Sequence, residues 1–207
     1  MNRLHLAQLR RTLSWILGQL IGPPMSPWLP IAVYVPASAG LVLLGVLLGA
    51  PAWQVGVLPL LGLALWSLLE YGIHSLAFHH TVRFLRLEAV QSAHARHHDH
   101  PSWPEHMVSQ LSFSAPVALV LFGLLYLTLG SLAAAALVLA GSLIGYLAYE
   151  VVHFQIHQRR KPFWLPRGLI KHHLYHHHKD QGRCFGVTSP LWDHVFRTSF
   201  KARSKSG

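Results

Sequence analysis

The chain has 207 residues, of which 52% are hydrophobic and only 12% charged, and its formal net charge is +10. The charges sit in a few short segments between long apolar runs, and a chain this small has too little other material to cover such runs, which excludes an ordinary soluble globular protein. The basic surplus does not call for nucleic acid, because anionic lipid headgroups are its natural counterion, and a single cysteine, Cys184, excludes a disulfide framework and a cysteine-rich metal or iron–sulfur site.

In chain order, residues 4–20 read as an amphipathic helix lying in the membrane interface. Pro23, Pro24, Pro27 and Pro30 then re-aim the chain, and no small-residue cleavage site follows, so a signal peptide is not expected. From Ile31 to Leu69 there is no Lys, Arg, Asp or Glu. That is about twice the roughly 20 residues needed to span a bilayer, so the run reads as a hairpin of two spans. Gly49-Ala50-Pro51 marks the turn, giving spans near 31–49 and 54–74, with Trp28 and Trp53 at span ends where aromatic belts are expected. A second uncharged run, Val108 to Tyr149, divides at Gly130-Ser131 into spans near 112–129 and 132–152. All 17 Lys and Arg lie within residues 3–11, 83–96 and 159–205, and neither turn carries one. The positive-inside bias then places both termini and the segment between the hairpins in the cytoplasm. The expected organisation is an interfacial segment 1–30, an all-α membrane domain 31–200 of four spans with a helical cytosolic cap, and a basic tail 201–207.

Seventeen residues are histidine, and ten of them fall into four groups: His74 and His79; His94, His97 and His98; His153 and His157; His173, His176 and His177. Neutral imidazole binds iron, zinc and copper well. One ion rarely takes more than about four to six protein ligands, so this many clustered candidates point to two metals. The topology gathers all four groups in one cytoplasmic layer, although they are scattered along the sequence. Residues three, four or seven apart share a helix face, so His153 and His157 point together, as do His94, His97 and His98, and His173, His176 and His177. Glu70 and Glu150 precede ligand candidates at helical spacing, and a carboxylate inside a span is a functional hypothesis by default. It either binds metal or accepts a hydrogen bond that orients a ligating imidazole; the second role is preferred because the histidines already suffice. His5, His106 and His194 read as surface or packing residues, while His80, His100, His172 and His178 stay ambiguous. Tyr71, Tyr149 and Tyr175 read as interfacial or packing residues.

The motifs resemble those of the fatty acid hydroxylase/sterol desaturase superfamily of membrane di-iron enzymes. Glu70-Tyr71-Gly72-Ile73-His74-Ser75-Leu76-Ala77-Phe78-His79 is similar to its first histidine box, and His94-Ala95-Arg96-His97-His98-Asp99-His100-Pro101 to its second. His172-His173-Leu174-Tyr175-His176-His177-His178-Lys179, followed by Phe185-Gly186-Val187-Thr188-Ser189-Pro190-Leu191-Trp192-Asp193, resembles the ending of the fatty acid 2-hydroxylase branch. The resemblance implies two iron ions on His74, His79, His94, His97, His98, His153, His157, His173, His176 and His177, with O2 as co-substrate and a lipid acyl chain, of a fatty acid or ceramide type, as the group hydroxylated. Zinc in a purified sample would occupy the same nitrogens. Related 2-hydroxylases often carry a fused cytochrome b5 domain, for which the first 30 residues are too short, so an external donor of cytochrome b5 or ferredoxin type is expected. A sterol or carotenoid hydroxylase or desaturase using the same centre remains open, as does a membrane metal transporter, which would spread its ligands along a path across the bilayer. The Phe185–Asp193 motif reads as an anchor for the tail that does no chemistry.

Overall fold

The computed structural model describes residues 28–79, 88–103, 109–158 and 164–200. The expected interfacial helix 4–20, the basic tail 201–207, and His5, His80 and His106 lie outside the described residues. Among those described, every regular element is helical: α1 (Leu29–Leu47), α2 (Ala52–Gly72) continued by a π-helix (Ile73–His79), α3 (Glu88–Asp99), α4 (Leu111–Leu129), α5 (Leu132–Gln158), α6 (Arg167–His178) and α7 (Leu191–Val195). Helices α1, α2 with its extension, α4 and α5 are long and apolar enough to cross a membrane.

The ends of these helices follow local chemistry. Pro30 occupies the first turn of α1, where a missing N–H costs nothing. Beyond its end Gly49 takes φ +82°, and Pro51 precedes α2. Gly130 caps α4 at φ +62°, a left-handed conformation that suits glycine, and donates its N–H to the Tyr126 carbonyl at 2.9 Å. Two expected spans are too short. The second runs on to His79 and the fourth to Gln158, because polar residues that bind across the structure continue the helix after its apolar stretch has ended.

Helix α5 is the centre of the fold and is buried along most of its length, whereas α1, α2 and α4 turn large apolar side chains such as Leu47, Leu60, Leu119 and Leu127 outward. Lipid tails are as apolar as leucine, so helix association in a bilayer depends on close packing through small residues and on hydrogen bonds. The α2–α5 seam has both. A Cβ on Gly141 would sit 1.8 Å from the Pro59 carbonyl oxygen, one on Gly62 would sit 2.0 Å from that of Val138, and one on Gly145 would meet the Trp66 side chain at 2.6 Å. Ser142 Oγ donates to the Gly62 carbonyl at 3.1 Å. On the other side of α5, Tyr34 packs edge-on against Tyr146 (5.2 Å) and shares a 2.7 Å hydrogen bond with Ser114, joining α1 to α4.

Candidate metal centre

The C-terminal ends of α2 and α5 deliver His74 and His79, and His153 and His157, to the same end of the molecule, where α3 and α6 lie across them. The spacing of His74 and His79 makes sense only in the observed local structure. In an α-helix residues five apart point about 140° away from one another. The π-helix Ile73–His79 bonds i to i+5 and widens the turn, which brings the two rings to 5.2 Å, centroid to centroid.

The ten expected histidines divide into two sets of five, and within each set the candidate ligand atoms all lie within 4.8 Å of one another. One set is His74, His79, His94, His98 and His176; the other is His97, His153, His157, His173 and His177. Helix α2 feeds only the first set and α5 only the second, while α3 and α6 feed both. In the first set His94 Nε2 lies 3.2, 2.9 and 3.0 Å from the Nε2 atoms of His74, His79 and His98. In the second, His157 Nε2 lies 2.9 Å from His173 Nε2. The sets adjoin, with His98 and His177 stacked at 4.1 Å.

A metal fits this donor set. His74 Nδ1 lies against the Phe185 carbonyl and His176 Nδ1 lies 2.7 Å from that of Arg183. A carbonyl can only accept, so these nitrogens carry the protons and leave both Nε2 lone pairs free for an ion. Separations near 3 Å are those of neighbouring ligands around an ion with metal–nitrogen bonds of about 2.1 Å. His97 and His177 are buried with neither ring nitrogen bonded to protein among the described residues. Ten imidazoles without thiolate or carboxylate suit iron, zinc, copper or nickel. The rings are also kept neutral, as ligation requires. Burial first, then the neighbouring imidazoles, holds His94, His97, His173 and His177 far below the ordinary histidine value. Burial likewise brings His98 and His176 down to about 4.

Neither carboxylate inside the spans joins a ligand set. Glu70 accepts hydrogen bonds from Val187 N–H (2.6 Å), Thr188 N–H (2.8 Å) and the Thr188 hydroxyl (2.6 Å), and Glu150 accepts from Ser109 N–H (3.1 Å). Each therefore holds a loop beside the centre. Of the ambiguous histidines, His172 pairs with Asp193 at 3.0 Å and His100 stacks on Trp103 at 4.1 Å, while His178 stays outside both sets. Tyr149 stacks on His153, and Tyr71 packs against Phe185 and Phe196. The Phe185 and Arg183 carbonyls were invisible to motif reading, because a backbone acceptor leaves no mark in the sequence.

An apolar cavity of about 270 Å³ opens between α2, α4 and α5. Val120, Leu121, Leu124 and Leu139 line its far end, and Phe78, Tyr149 and His74 line the end at the histidines. The model of the fatty acid hydroxylase family matches residues 59–198, which include all ten histidines. The chain belongs to the fatty acid hydroxylase family. Within it, the dihydroceramide fatty acyl 2-hydroxylase FAH2 of Arabidopsis thaliana is 34% identical over 205 residues, covering 95% of this chain and 78% of the relative. The fatty acid 2-hydroxylase of Homo sapiens is 34% identical over 149 residues, covering 67% of this chain but only 38% of the human protein. A solved structure of full-length Scs7p, with only its hydroxylase domain visible, aligns with a TM-score of 0.78 and 28% identity over 86% of this chain and 68% of that one. As a family member this protein is an oxidoreductase that hydroxylates lipid acyl chains, and its ligand candidates lie at one end of the helices rather than along a transport path.

Proposed function

We propose that this protein places one oxygen atom on carbon 2 of the acyl chain of a dihydroceramide or a related N-acylated sphingoid lipid, using two iron ions and O2. The observation that carries this reading is the cavity, which runs from the bilayer-level faces of α4 and α5 to His74 and Tyr149 beside the two imidazole sets. The position on the chain follows the Arabidopsis thaliana relatives, which are dihydroceramide fatty acyl 2-hydroxylases. His74, His79, His94, His98 and His176 hold one ion, and His97, His153, His157, His173 and His177 hold the other. Iron bound there supplies the O2 activation and electron chemistry that oxidation of an alkyl C–H bond needs and no side chain provides.

The chain's own residues do the rest. Leu121, Leu124, Leu139 and Leu143 take up the acyl chain and exclude water. Phe78, stacked on His94, and Tyr149, stacked on His153, form apolar walls where the chain meets the ligands. The Phe185 and Arg183 carbonyls keep protons on the Nδ1 atoms of His74 and His176, so that their Nε2 atoms face the ion.

In this reading α1 with α2, and α4 with α5, are two hairpins, and α3, α6 and α7 form a cytosolic cap within a domain spanning 31–200. The links 48–51 and 130–131 carry no basic residue, while Arg96, Arg167, Lys171, Lys179 and Arg183 all lie at the histidine end; this charge bias supports a cytoplasmic histidine face and cytoplasmic termini. One oxygen atom leaves as water, so two electrons are needed, and in this reading a donor of cytochrome b5 or ferredoxin type supplies them. The test is lipid mass spectrometry of cells with the protein, without it, and with His176→Ala. A gain of one oxygen confined to N-acyl chains, absent in the variant, is expected. Loss of two hydrogens, or unchanged lipids, refutes the proposal.

A further inference from the structure

The geometry points to Arg183–Thr188 as a latch that presets one of the two metal sets and not the other, with Glu70 and Asp193 as its positioning residues. This inference rests on the two-metal reading above. The latch supplies two backbone acceptors to candidate ligands: the Arg183 carbonyl at His176 and the Phe185 carbonyl at His74. Both histidines belong to the same set. Between those carbonyls Cys184 sits at φ +60°, a left-handed conformation that is unfavourable for a residue with a side chain. Such a conformation persists only where the surroundings over-determine it.

They do so here through two buried carboxylates. Asp193 Oδ1 accepts Phe185 N–H at 2.9 Å and the Thr198 hydroxyl at 2.7 Å. Its Oδ2 accepts Gly186 N–H at 2.7 Å and His172 Nε2–H at 3.0 Å. Burial favours the neutral acid, yet these four donors outweigh it and hold the Asp193 carboxyl below its usual range. Glu70 grips the other end of the latch through Val187 and Thr188. Gly186 is required between them, since a Cβ there would stand 2.1 Å from the Ser189 carbonyl and 2.9 Å from Asp193 Oδ2. The chain of contacts closes on itself. Glu70 lies one helical turn before His74, holds the latch, and the latch returns a carbonyl to His74.

Among the described residues the latch carbonyls bond no member of the second set. His97 and His177 have no protein partner on either ring nitrogen, and His173 has none on Nδ1. Partners outside the ligand shell that orient histidines are worth about 10–100-fold in metal affinity, so the latch acts on the hold of the first ion.

The test loads the detergent-purified full chain with Co²⁺ and follows its release to a chelator. The wild-type protein is expected to give up two equivalents in two phases, with the slow phase from the latched set. Glu70→Gln and Asp193→Asn should speed the slow phase about 10–100-fold and leave the fast phase and the helical circular dichroism unchanged. Thr188→Val, which removes one of the three bonds to Glu70, should give a smaller change of the same kind and serves if the carboxylate variants fail to fold. Two equivalents leaving in a single phase, or variants that speed both phases alike or neither, overturn the latch while leaving the two-metal reading intact. Uptake of fewer than two equivalents by the wild-type protein overturns both.

Discussion

Because α2 supplies only one histidine set and α5 only the other, the glycine seam between these helices fixes how far apart the two sets stand. Gly62 and Gly141 each precede the first ligand of their own helix, His74 and His153, by twelve residues, or about 18 Å of α-helix. Gly141→Ala tests this. The new Cβ would lie 1.8 Å from the Pro59 carbonyl oxygen. A carbon–oxygen contact needs about 3.3 Å, and since the oxygen belongs to the backbone, only a separation of the helices by roughly 1.5 Å relieves the clash. Glycine to alanine within a helix is otherwise favourable by about 0.5–1 kcal/mol, whereas overpacking costs about 1–3 kcal/mol. The net loss of stability should be about 1–2 kcal/mol, or several degrees in thermal midpoint for a chain of this size. A shift of about 1 Å in reacting groups can cost roughly 100-fold in rate, so hydroxylation should fall by about that factor. Both metal equivalents should remain, since neither five-ligand set loses a member. Gly56→Ala and Gly123→Ala, where an added Cβ meets nothing within 4 Å, serve as controls and should be neutral or slightly stabilising. Thermal unfolding in detergent, metal analysis and product formation read the three quantities. If Gly141→Ala behaves like Gly56→Ala, the seam does not set the spacing.

Adjacent ligands should separate the two sets. His176→Ala and His177→Ala each remove one imidazole from a different set, so metal analysis should give close to one equivalent for each variant, with hydroxylation lost in both. The response to acid has a defined sign. His98 and His176 titrate near 4 in the folded chain against 6.5 when unfolded, so the unfolded state binds more protons between those values. The metal-free protein should therefore lose stability as pH falls from about 6.5 towards 4 and show no loss from these groups above it; pH-dependent melts check this, and added metal should move the loss to lower pH. At the far end of the cavity, Leu124→Trp should shorten the acyl chains accepted while short-chain turnover persists, as read by product chain-length distribution.

The spans were legible because bilayer thickness dictates their length and charge is excluded from them, so two uncharged runs divided at Gly49 and Gly130 identify them directly. The grouping of the histidines was legible because those at i, i+3 and i+4 share a face, as His153 with His157 and His173 with His176 and His177 do. His74 and His79 broke that rule, and only a local π-helix reconciles their spacing. The division into two sets was not legible, since His97 and His98 are neighbours in sequence yet serve different sets. That split depends on how α3 crosses the others. Phe185–Asp193 read as a tail anchor, but its place beside the histidines runs through main-chain carbonyls and through a buried Asp193, two of whose four donors are main-chain N–H groups. From the sequence, Glu70 is preferred as the acceptor that orients an imidazole, whereas the structure bonds it to Val187 and Thr188.

Helix α3 is mostly polar, whereas α6 also packs Leu169, Ile170 and Leu174 against Val152 and Ile156 of α5, and the imidazoles of both helices meet those of α2 and α5. The lipid-embedded scaffold can therefore assemble during membrane insertion, while metal binding would draw the histidine-bearing layer, α3 above all, onto it. Iron supply would then govern maturation as well as turnover: in starved cells, correctly inserted chains should accumulate with their surface layer ajar, open to proteolysis and ready to be rescued without new synthesis.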